Sequence, residues 1–376
     1  MQTPPKRLLY GPGPTMVDPR VYEAMSQPIV GHLDPFFFSV VEEIRTGLRE
    51  AFGTANEFTF AISGTGSAGM ETAVANFVEP GMKFAVLANG FFCDRVAEMG
   101  RRHGGEVVRF DKPWGESFTD DEAAEFITRE KPHIVAFVQA ETSTGVYNGG
   151  KGICDAAHSV GALAIADVVT SLGAMPVEVD RNGIDIAYSC TQKGLSCPPG
   201  LAPITVSPRA LERLRARKRS ADTWYLDLGL LDEYFGNSHR YHHTAPISMF
   251  YALCEGLAVI KEEGIQKRWE RHRKAHLQLV DGLESLGLQM LVPDGKRIWN
   301  LNTPLVPEGI QDIVVRKYLM ENYGIEILGG FGPLAGKIFR IGLMGPLATP
   351  ENTESFLDAF AKALTHAGYG VATAQH

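Results

Sequence analysis

From Ala162 to Gly194 the chain reads ALAIADVVTSLGAMPVEVDRNGIDIAYSCTQKG. Two apolar runs of strand length, residues 162–166 and 184–188, lie in this stretch, and polar residues follow each of them directly. Runs that are apolar on both faces are typical of buried parallel strands, and the carboxyl ends of such strands form the ligand-binding edge of an α/β sheet. Asp167 directly follows the first run and Lys193 lies just beyond the second, so both are expected at that edge.

The same pattern continues on both sides of this stretch. Between residues 58 and 206, short apolar runs alternate with longer segments of helical periodicity. This alternation predicts right-handed βαβ units and a mostly parallel sheet that helices cover on both faces, which is an α/β fold. The predicted strands are Phe58–Ile62, Lys83–Ala88, Ile134–Gln139, Ala162–Ala166, Ile184–Tyr188 and Ala202–Val206, and the predicted helices are Met70–Val78, Phe92–His103, Asp120–Glu130 and Gly150–Val160.

The chain beyond about residue 260 has a different pattern. A long charged helix over Ile265–Leu286 precedes short strand-like pieces and a helix near Asp312–Asn322. Strands at Ile325–Leu328 and Ile338–Leu343 and a final helix over Thr349–His366 follow. This mixture predicts a separate, smaller α+β domain at the C-terminus. A helix over residues 247–263 could connect the two parts.

Composition and charge narrow the class of protein. The chain has 376 residues, 44% hydrophobic and 21% charged, and its net charge of −8 weighs against a nucleic-acid partner. Basic residues concentrate in 213–219 and 267–274, but apolar residues are interspersed among them at helical spacing, which indicates solvated helix faces. The N-terminus has no apolar signal core and no apolar run is long enough to cross a bilayer, so no membrane partner is expected.

The cysteines and the paired histidines give no sign of a metal site. The five cysteines are irregularly spaced and include no CxxC pair, so neither a zinc site nor a disulfide framework is indicated. His242 and His243 are adjacent and cannot share one helix face, and no HExxH spacing occurs. We therefore expect no metal, and reduced thiols in a cytoplasmic protein.

A glycine-rich turn, Ser63-Gly64-Thr65-Gly66-Ser67-Ala68-Gly69, stands directly between a predicted strand and a predicted helix. Glycines allow the backbone to approach an anion, and the helix N-terminus offers free N–H groups, so the turn predicts a phosphate site; a tight turn without a ligand is an equal alternative. The glycines also spell GxGxxG, but a dinucleotide site needs an acid about 20 residues further on. The next strand ends in Asn89-Gly90 instead, and no Gly-Lys-Ser/Thr of a P-loop follows.

Asp167 and Lys193 each have a simpler interpretation when taken alone. An aspartate after a strand commonly caps the next segment, and a single lysine in a turn is commonly exposed. The glycine-rich turn, the acid at a strand end and the lysine beyond the next strand are informative because they occur together and in this order.

The constellation resembles the class V aminotransferases of the type I fold of pyridoxal 5′-phosphate (PLP) enzymes, in the alanine–glyoxylate / serine–pyruvate branch. The resemblance runs from Gly11-Pro12-Gly13-Pro14 to the last helix, and its most specific pieces are residues 167–173 (DVVTSLG), 192–200 (QKGLSCPPG), 241–244 (YHHT) and 340–343 (RIGL). It implies a large domain with a mostly parallel seven-stranded sheet and a smaller α+β domain. The corresponding boundaries are an N-terminal segment near the active site at 1–20, the large PLP-binding domain at 21–260 and the small domain at 261–376.

The resemblance also implies roles for the residues that match the family motifs. Lys193 resembles the lysine that holds PLP as a Schiff base and serves as the general base once it is freed. Asp167 resembles the acid that keeps the pyridine nitrogen protonated so that the ring can accept electrons, and Val169 resembles the residue that packs under that ring. The positions on the phosphate side are matched by Thr65, Gly66, Ser67 and Gln192.

Further matches concern the substrate and a second subunit. Arg340 resembles the arginine that binds the substrate carboxylate, for which a guanidinium is suited because it can bind two oxygens at once. Ser143 matches a hydroxyl near the cofactor and the substrate, with Thr142 as the neighbouring candidate, and Gly13 lies in the segment that closes over the substrate. Tyr241 and Thr244 match residues that reach the phosphate of the partner subunit, which implies a homodimer with shared active sites.

One position departs from the family pattern. Phe92 in Asn89-Gly90-Phe91-Phe92 stands where close relatives often have the tryptophan that stacks on the cofactor ring. Phenylalanine can also stack, so the departure bears on the size of the substrate rather than on cofactor binding.

The resemblance implies ping-pong transfer of an amino group from alanine or serine to glyoxylate or pyruvate. Other donors are open within the same fold: 2-aminoethylphosphonate, pyridoxamine, ureidoglycine or aspartate. A PLP lyase or cysteine desulfurase is a weaker alternative, because none of the cysteines stands in an obvious long loop, with Cys197 still open. Outside these activities, a nucleotide-dependent enzyme that uses the Gly64 turn and a non-catalytic protein of the same fold remain as alternatives.

Overall fold

The computed structural model describes residues 3–370. Its centre is a seven-stranded sheet with strands β1 (Thr59–Ser63), β2 (Lys83–Ala88), β3 (Glu106–Asp111), β4 (Ile134–Val138), β5 (Leu163–Asp167), β6 (Ile186–Tyr188) and β7 (Leu201–Val206). The strand order is β1-β7-β6-β5-β4-β2-β3, and only β7 runs antiparallel to its neighbours. The predicted mostly parallel sheet of seven strands is confirmed.

Helices cover both faces of this sheet and form much of the C-terminal part. They are α1 (Pro19–Met25), α2 (Pro35–Phe52), α3 (Gly66–Phe77), α4 (Phe91–Arg102), α5 (Asp120–Glu130), α6 (Lys151–Ser159), α7 (Val179–Asn182), α8 (Pro208–Arg215), α9 (Leu228–Phe235), α10 (Ile247–Glu263), α11 (Ile265–Ser285), α12 (Asp312–Tyr323) and α13 (Pro350–His366). None of the helices between residues 3 and 370 has the length and apolar character that a bilayer span requires.

Two hydrophobic cores account for most of the buried apolar side chains. The larger core lies around the seven-stranded sheet and takes its residues from 21–260. The smaller core is built from residues 275–364 together with Tyr10. A three-stranded antiparallel sheet of Leu301–Asn302, Leu328–Gly329 and Phe339–Gly342 belongs to this second part.

The N-terminal segment packs onto the C-terminal part of the chain. The short strand Leu8–Leu9 pairs in parallel with Ile325–Glu326. The Gly342 N–H donates to the carbonyl of Tyr10 at 2.7 Å, so the following Gly11–Gly13 turn lies beside the strand that carries Arg340.

Candidate active site

Three segments that are distant in sequence meet at the carboxyl edge of the sheet. They follow β1, β5 and β6, which all run in the same direction. A Cβ atom added to Gly66 at the start of α3 would lie 3.0 Å from Cβ of Cys190 and 3.5 Å from Cγ2 of Val169. The fold therefore brings together the glycine-rich turn, the segment after Asp167 and the segment that leads to Lys193.

Lys193 is buried at this meeting point, with 8% of its surface exposed. Desolvation by burial lowers the pKa of its ammonium group, which favours the neutral amine that a nucleophile or base requires. Gly13 lies against the lysine side chain: a Cβ there would be 2.9 Å from both Cδ and Cε of Lys193, and the φ of +117° already favours glycine. The N-terminal segment thus closes over the lysine.

Asp167 ends β5 and is 3% exposed. Its Oδ1 accepts a hydrogen bond from the Val169 N–H at 2.9 Å, and its Oδ2 accepts one from the Tyr188 hydroxyl at 2.9 Å. Burial raises the pKa of the Asp167 carboxyl to about 7, against the effect of these two hydrogen bonds. The carboxylate is held in a fixed orientation, and it would gain from a nearby positive charge.

The start of α3 has the features of an anion site. The Thr65 side chain at the N-cap makes no capping hydrogen bond, and both Thr65 and Ser67 are exposed. Arg95 donates from Nη1 to Oγ of Ser67 at 3.1 Å, which adds a positive charge that sequence reasoning did not assign to this site. Next to Lys193, Oε1 of the Gln192 amide is a buried acceptor without a hydrogen-bond partner among residues 3–370.

The third glycine of the GxGxxG pattern has a packing role. A Cβ on Gly69 would lie 3.1 Å from Cβ of Ala202 and 3.3 Å from Cβ of Tyr188. The glycine therefore lets α3 lie close to β6 and β7, and this close packing accounts for the pattern without a dinucleotide.

Glu141 fixes two of the candidate residues, although sequence reasoning did not single it out. Its Oε1 accepts hydrogen bonds from the N–H and the hydroxyl of Ser143 at 3.0 and 2.7 Å, and its Oε2 accepts one from the Phe92 N–H at 3.1 Å. Glu141 is fully buried, and desolvation raises the pKa of its carboxyl. The one sequence feature that could have indicated Glu141 is its position two residues before the candidate Ser143.

Arg340 lies on the strand Phe339–Gly342 and is 6% exposed. Its Nε donates to the Gly329 carbonyl at 2.8 Å, its Nη1 lies 3.5 Å from the Thr142 carbonyl, and its guanidinium lies 4.3 Å from the centre of the Phe331 ring. Among residues 3–370, Nη2 has no hydrogen-bond acceptor, so it remains available to a carboxylate. Burial lowers the pKa of Arg340 to about 10.

Tyr241 and Thr244 are both exposed, in contrast to the buried Lys193, Asp167 and Arg340. Between them, His242 and His243 are buried, and Nε2 of His243 lies 2.6 Å from Oγ of Ser63. Burial lowers the pKa of His243 to about 4, so this histidine is a neutral anchor for the segment. Residues 3–370 contain no group of three or more His, Cys, Asp or Glu side chains that could hold a metal ion.

The model of the family described as Aminotransferase class-V matches residues 8–336. The chain belongs to the class-V aminotransferases. An alanine–glyoxylate aminotransferase of Oryctolagus cuniculus is 39% identical over 366 residues, which are 96% of this chain and 93% of that protein. The crystal structure of an alanine–glyoxylate aminotransferase from Nostoc sp. has a TM-score of 0.95 and 42% identity, with 96% of each chain covered. That of the ureidoglycine–glyoxylate aminotransferase from Bacillus subtilis has a TM-score of 0.97 and 38% identity, with 99% of this chain and 96% of that chain covered.

Membership in this family makes the chain a PLP-dependent transaminase, and the site fits that cofactor. The fit rests on the side chain of Lys193 enclosed by Gly13, and on the start of α3, where no side chain caps the first N–H groups. The free N-terminus of α3 and the Asp167 carboxylate supply the groups that a phosphate and a protonated ring nitrogen require. Family membership therefore excludes the alternative of a nucleotide-dependent enzyme that uses the Gly64 turn.

Proposed function

We propose that this aminotransferase transfers the amino group of alanine or serine to glyoxylate or pyruvate by a ping-pong mechanism. The observation that carries the proposal is the position of a buried Lys193 and a buried Arg340 beside the same N-terminal turn: Gly13 lies against the side chain of Lys193, and Tyr10 accepts a hydrogen bond from Gly342 on the strand that carries Arg340. Such a pair provides a base for the α-proton and a binding group for the α-carboxylate of the same small substrate.

Bound PLP would supply an electron sink for the electrons that the α-carbon releases. Lys193 would hold the cofactor covalently, and its freed Nζ would take up the α-proton of the amino acid. Arg340 would orient the α-carboxylate so that the α-hydrogen points toward Nζ. Asp167 would accept a hydrogen bond from the ring nitrogen, and its negative charge would keep that nitrogen protonated.

Aromatic rings next to Arg340 support a small, uncharged side chain on the donor. Phe331 covers one face of the guanidinium and contacts Phe91, with ring centres 4.8 Å apart. Phe91 in turn lies 5.6 Å from Phe92, the residue proposed to stack on the cofactor ring. The ring of Phe331 beside Arg340 suits a methyl or hydroxymethyl group better than the second carboxylate of aspartate, which would have to be desolvated. The nearby Arg95 guanidinium, 5.2 and 5.1 Å from the centres of the Phe91 and Phe92 rings, donates to Ser67 on the phosphate side.

The names of the relatives add support, since the Oryctolagus cuniculus and Nostoc proteins are alanine–glyoxylate aminotransferases. The similar Bacillus subtilis protein is a (S)-ureidoglycine–glyoxylate transaminase, which makes ureidoglycine the second candidate donor. Both alternatives share glyoxylate as the acceptor.

The cofactor and substrate positions form part of the same proposal. Lys193 and Asp167 are the proposed catalytic residues, and Arg340, Gly13 and Ser143 are proposed for the substrate. The proposed cofactor contacts are Thr65, Gly66, Ser67, Phe92, Ser143, Val169, Gln192, Tyr241 and Thr244, the last two from the partner subunit of a homodimer. The domain boundaries at residues 20 and 260 and a cytoplasmic location remain proposals; the free, largely buried cysteines suit a reducing compartment.

A panel of donors and acceptors tests the proposal. The purified enzyme is loaded with PLP and assayed with alanine, serine, aspartate, ureidoglycine, pyridoxamine and 2-aminoethylphosphonate against glyoxylate and pyruvate. Alanine or serine with glyoxylate is expected to give the highest kcat/KM, with parallel lines in double-reciprocal plots. A higher kcat/KM with ureidoglycine would favour the second candidate. Turnover with none of the pairs, despite bound PLP, would favour a non-catalytic protein of this fold.

A further inference from the structure

Tyr188 is a buried side chain that contacts the proposed cofactor site and that the mechanism above does not use. It ends β6 directly beside the end of β5, and Tyr188 and Asp167 are register partners in the sheet. Side chains at paired positions of neighbouring strands point to the same face, which brings the phenol of Tyr188 to the carboxylate of Asp167. The hydroxyl donates to Oδ2 of Asp167 at 2.9 Å.

The hydrogen bond from Tyr188 occupies part of the limited hydrogen-bonding capacity of the Asp167 carboxylate. A carboxylate has about four acceptor positions. The Val169 N–H occupies one on Oδ1 and the Tyr188 hydroxyl occupies one on Oδ2. One position on each oxygen is left for the N–H of a protonated cofactor ring. If the Tyr188 hydroxyl were removed, Oδ2 would lose this hydrogen-bond donor in a buried environment. The loss of a donor raises the pKa of a buried carboxyl, so Asp167 would hold its proton more tightly.

The surroundings of Tyr188 fix the position of its hydroxyl. The side chain is 1% exposed, and Gly69 of α3 packs against its Cβ. The carbonyl of Tyr188 also accepts a hydrogen bond from the Val168 N–H at 3.0 Å, next to Asp167. These contacts fix the backbone and the Cβ of Tyr188, and the buried side chain then reaches Asp167 through its hydroxyl.

We propose that Tyr188 is a positioning residue: its hydroxyl orients the Asp167 carboxylate and favours its ionised form, so that Asp167 can bind the protonated ring nitrogen of PLP. The ring of Tyr188 fills the core between α3 and the sheet, and the hydroxyl has the separate task of serving Asp167. This inference rests on the proposed role of Asp167. The hydrogen bond opposes the effect of burial, which raises the pKa of the Asp167 carboxyl.

The variant Tyr188→Phe removes the hydroxyl and keeps the ring. Its affinity for PLP is measured by titrating the apoenzyme with PLP at pH 7 and at pH 9, with the visible absorbance of the bound cofactor as the signal. At pH 7 the Kd is expected to rise roughly tenfold, the lower end of what a hydrogen bond to a charged group contributes. At pH 9 the difference from wild type should narrow, because the higher pH removes the proton that Asp167 then holds more tightly.

The control variant is Tyr234→Phe, which also removes a buried hydroxyl but one that donates to the backbone carbonyl of His32 at 2.9 Å. Its PLP affinity should match wild type at both pH values. The second control compares the single variant Asp167→Asn with the double variant that carries both Asp167→Asn and Tyr188→Phe. If Tyr188 acts through Asp167, adding Tyr188→Phe to Asp167→Asn should change the Kd less than twofold.

The outcomes separate this inference from the proposed function. A Tyr188→Phe enzyme with wild-type Kd at both pH values, alongside a weakened Asp167→Asn enzyme, would overturn the role of Tyr188 and leave that of Asp167 intact. An equal loss from Tyr188→Phe with or without Asp167→Asn would mean that the hydroxyl serves only the packing, and would also overturn the inference. Wild-type PLP affinity in Asp167→Asn would overturn the role of Asp167 itself.

Discussion

At the scale of single residues, the site combines three ionisable side chains that are almost fully buried: Lys193, Asp167 and Arg340. Burial lowers the pKa of Lys193 and of Arg340 and raises that of Asp167, so in each case it favours the neutral form. Side chains that are buried at a cost to their charged forms are typical of functional sites. A cofactor with a phosphate and a protonated ring would offset part of this cost.

The pH dependence of the apoprotein should reflect Asp167. Its folded pKa of about 7 lies above the unfolded value of about 3.9, so the unfolded chain loses this proton first as the pH rises. The stability that protonated Asp167 contributes is therefore present at low pH and is lost as the pH rises to about 7. Between pH 5 and pH 8, the free energy of unfolding of wild type should fall by roughly 3 kcal/mol relative to Asp167→Asn. Urea unfolding of both apoproteins measures this difference, and a difference that does not change with pH would contradict it.

Arg340→Lys keeps a positive charge but loses the planar fork that binds two carboxylate oxygens and stacks on Phe331. The KM for the amino donor should rise roughly tenfold or more, with a smaller change in kcat. Arg45→Lys is the matched control, because Arg45 pairs with Glu42 and has no proposed contact with the substrate. Steady-state kinetics of both variants check the prediction, and equal KM values for wild type and Arg340→Lys would refute the role of Arg340.

The sequence was sufficient to place Asp167 at the end of a strand and Lys193 beyond the next strand, both at the carboxyl edge of the sheet, and the roles proposed for them stay predictions. It was not sufficient for Glu141 and Tyr188. Glu141 serves Phe92, which comes from a remote helix, and Tyr188 belongs to an apolar run that the sequence marks only as core. Such roles depend on contacts between distant segments, which periodicity does not reveal.

At the scale of elements, several predictions were incomplete. The stretch predicted as one strand over Ile325–Leu328 forms two strands in different sheets, Ile325–Glu326 and Leu328–Gly329, and helix α2 was not predicted. The strand Glu106–Asp111 was missed because it is the edge strand β3: three of its six residues are charged, and none of the six is buried. Helix α3 begins at Gly66 rather than at Met70. Its first turn, Gly-Ser-Ala-Gly, has weak helix propensity, so the sequence pattern did not indicate it, and packing on the sheet stabilises it. By contrast, Lys83–Ala88 and Asp120–Glu130 have the bounds that were predicted.

Helix α3 packs closely on the sheet at Gly69, so a larger side chain at this position should destabilise the protein. Gly69→Val would press a branched side chain against Ala202 and Tyr188, so we expect a loss of about 1–3 kcal/mol in the free energy of unfolding and weaker PLP binding. Gly149→Val is the control, because a Cβ at Gly149 meets no atom within 4 Å. Chemical unfolding and PLP titration of both variants test the packing, and an unaffected Gly69→Val protein would contradict it.

At the scale of the whole molecule, the smaller core holds Tyr10 together with residues 275–364, and the N-terminal segment reaches back over Lys193. The predicted α+β character of the C-terminal part agrees with its small sheet and helices α11, α12 and α13. The sequence alone did not link residues 8–13 to this part, because that link is a pairing between remote short strands.

The proposed shared sites of a homodimer can be tested by complementation. Lys193→Ala and the double variant Tyr241→Phe with Thr244→Ala should each be nearly inactive alone. In a mixed dimer, one site would combine Lys193 of one protomer with Tyr241 and Thr244 of the other. Co-expression with two different affinity tags should therefore recover activity approaching one site per mixed dimer. Mixed dimers as inactive as the two parents would contradict sharing.

The central claim, that Lys193 holds PLP covalently, is tested most directly by reducing the PLP-loaded wild-type enzyme with borohydride and mapping the modified peptide by mass spectrometry. Borohydride fixes a Schiff base as a stable amine. One phosphopyridoxyl group per chain, on Lys193, is expected. A modification on another lysine, or no stable modification of an enzyme with full transaminase activity, would contradict it.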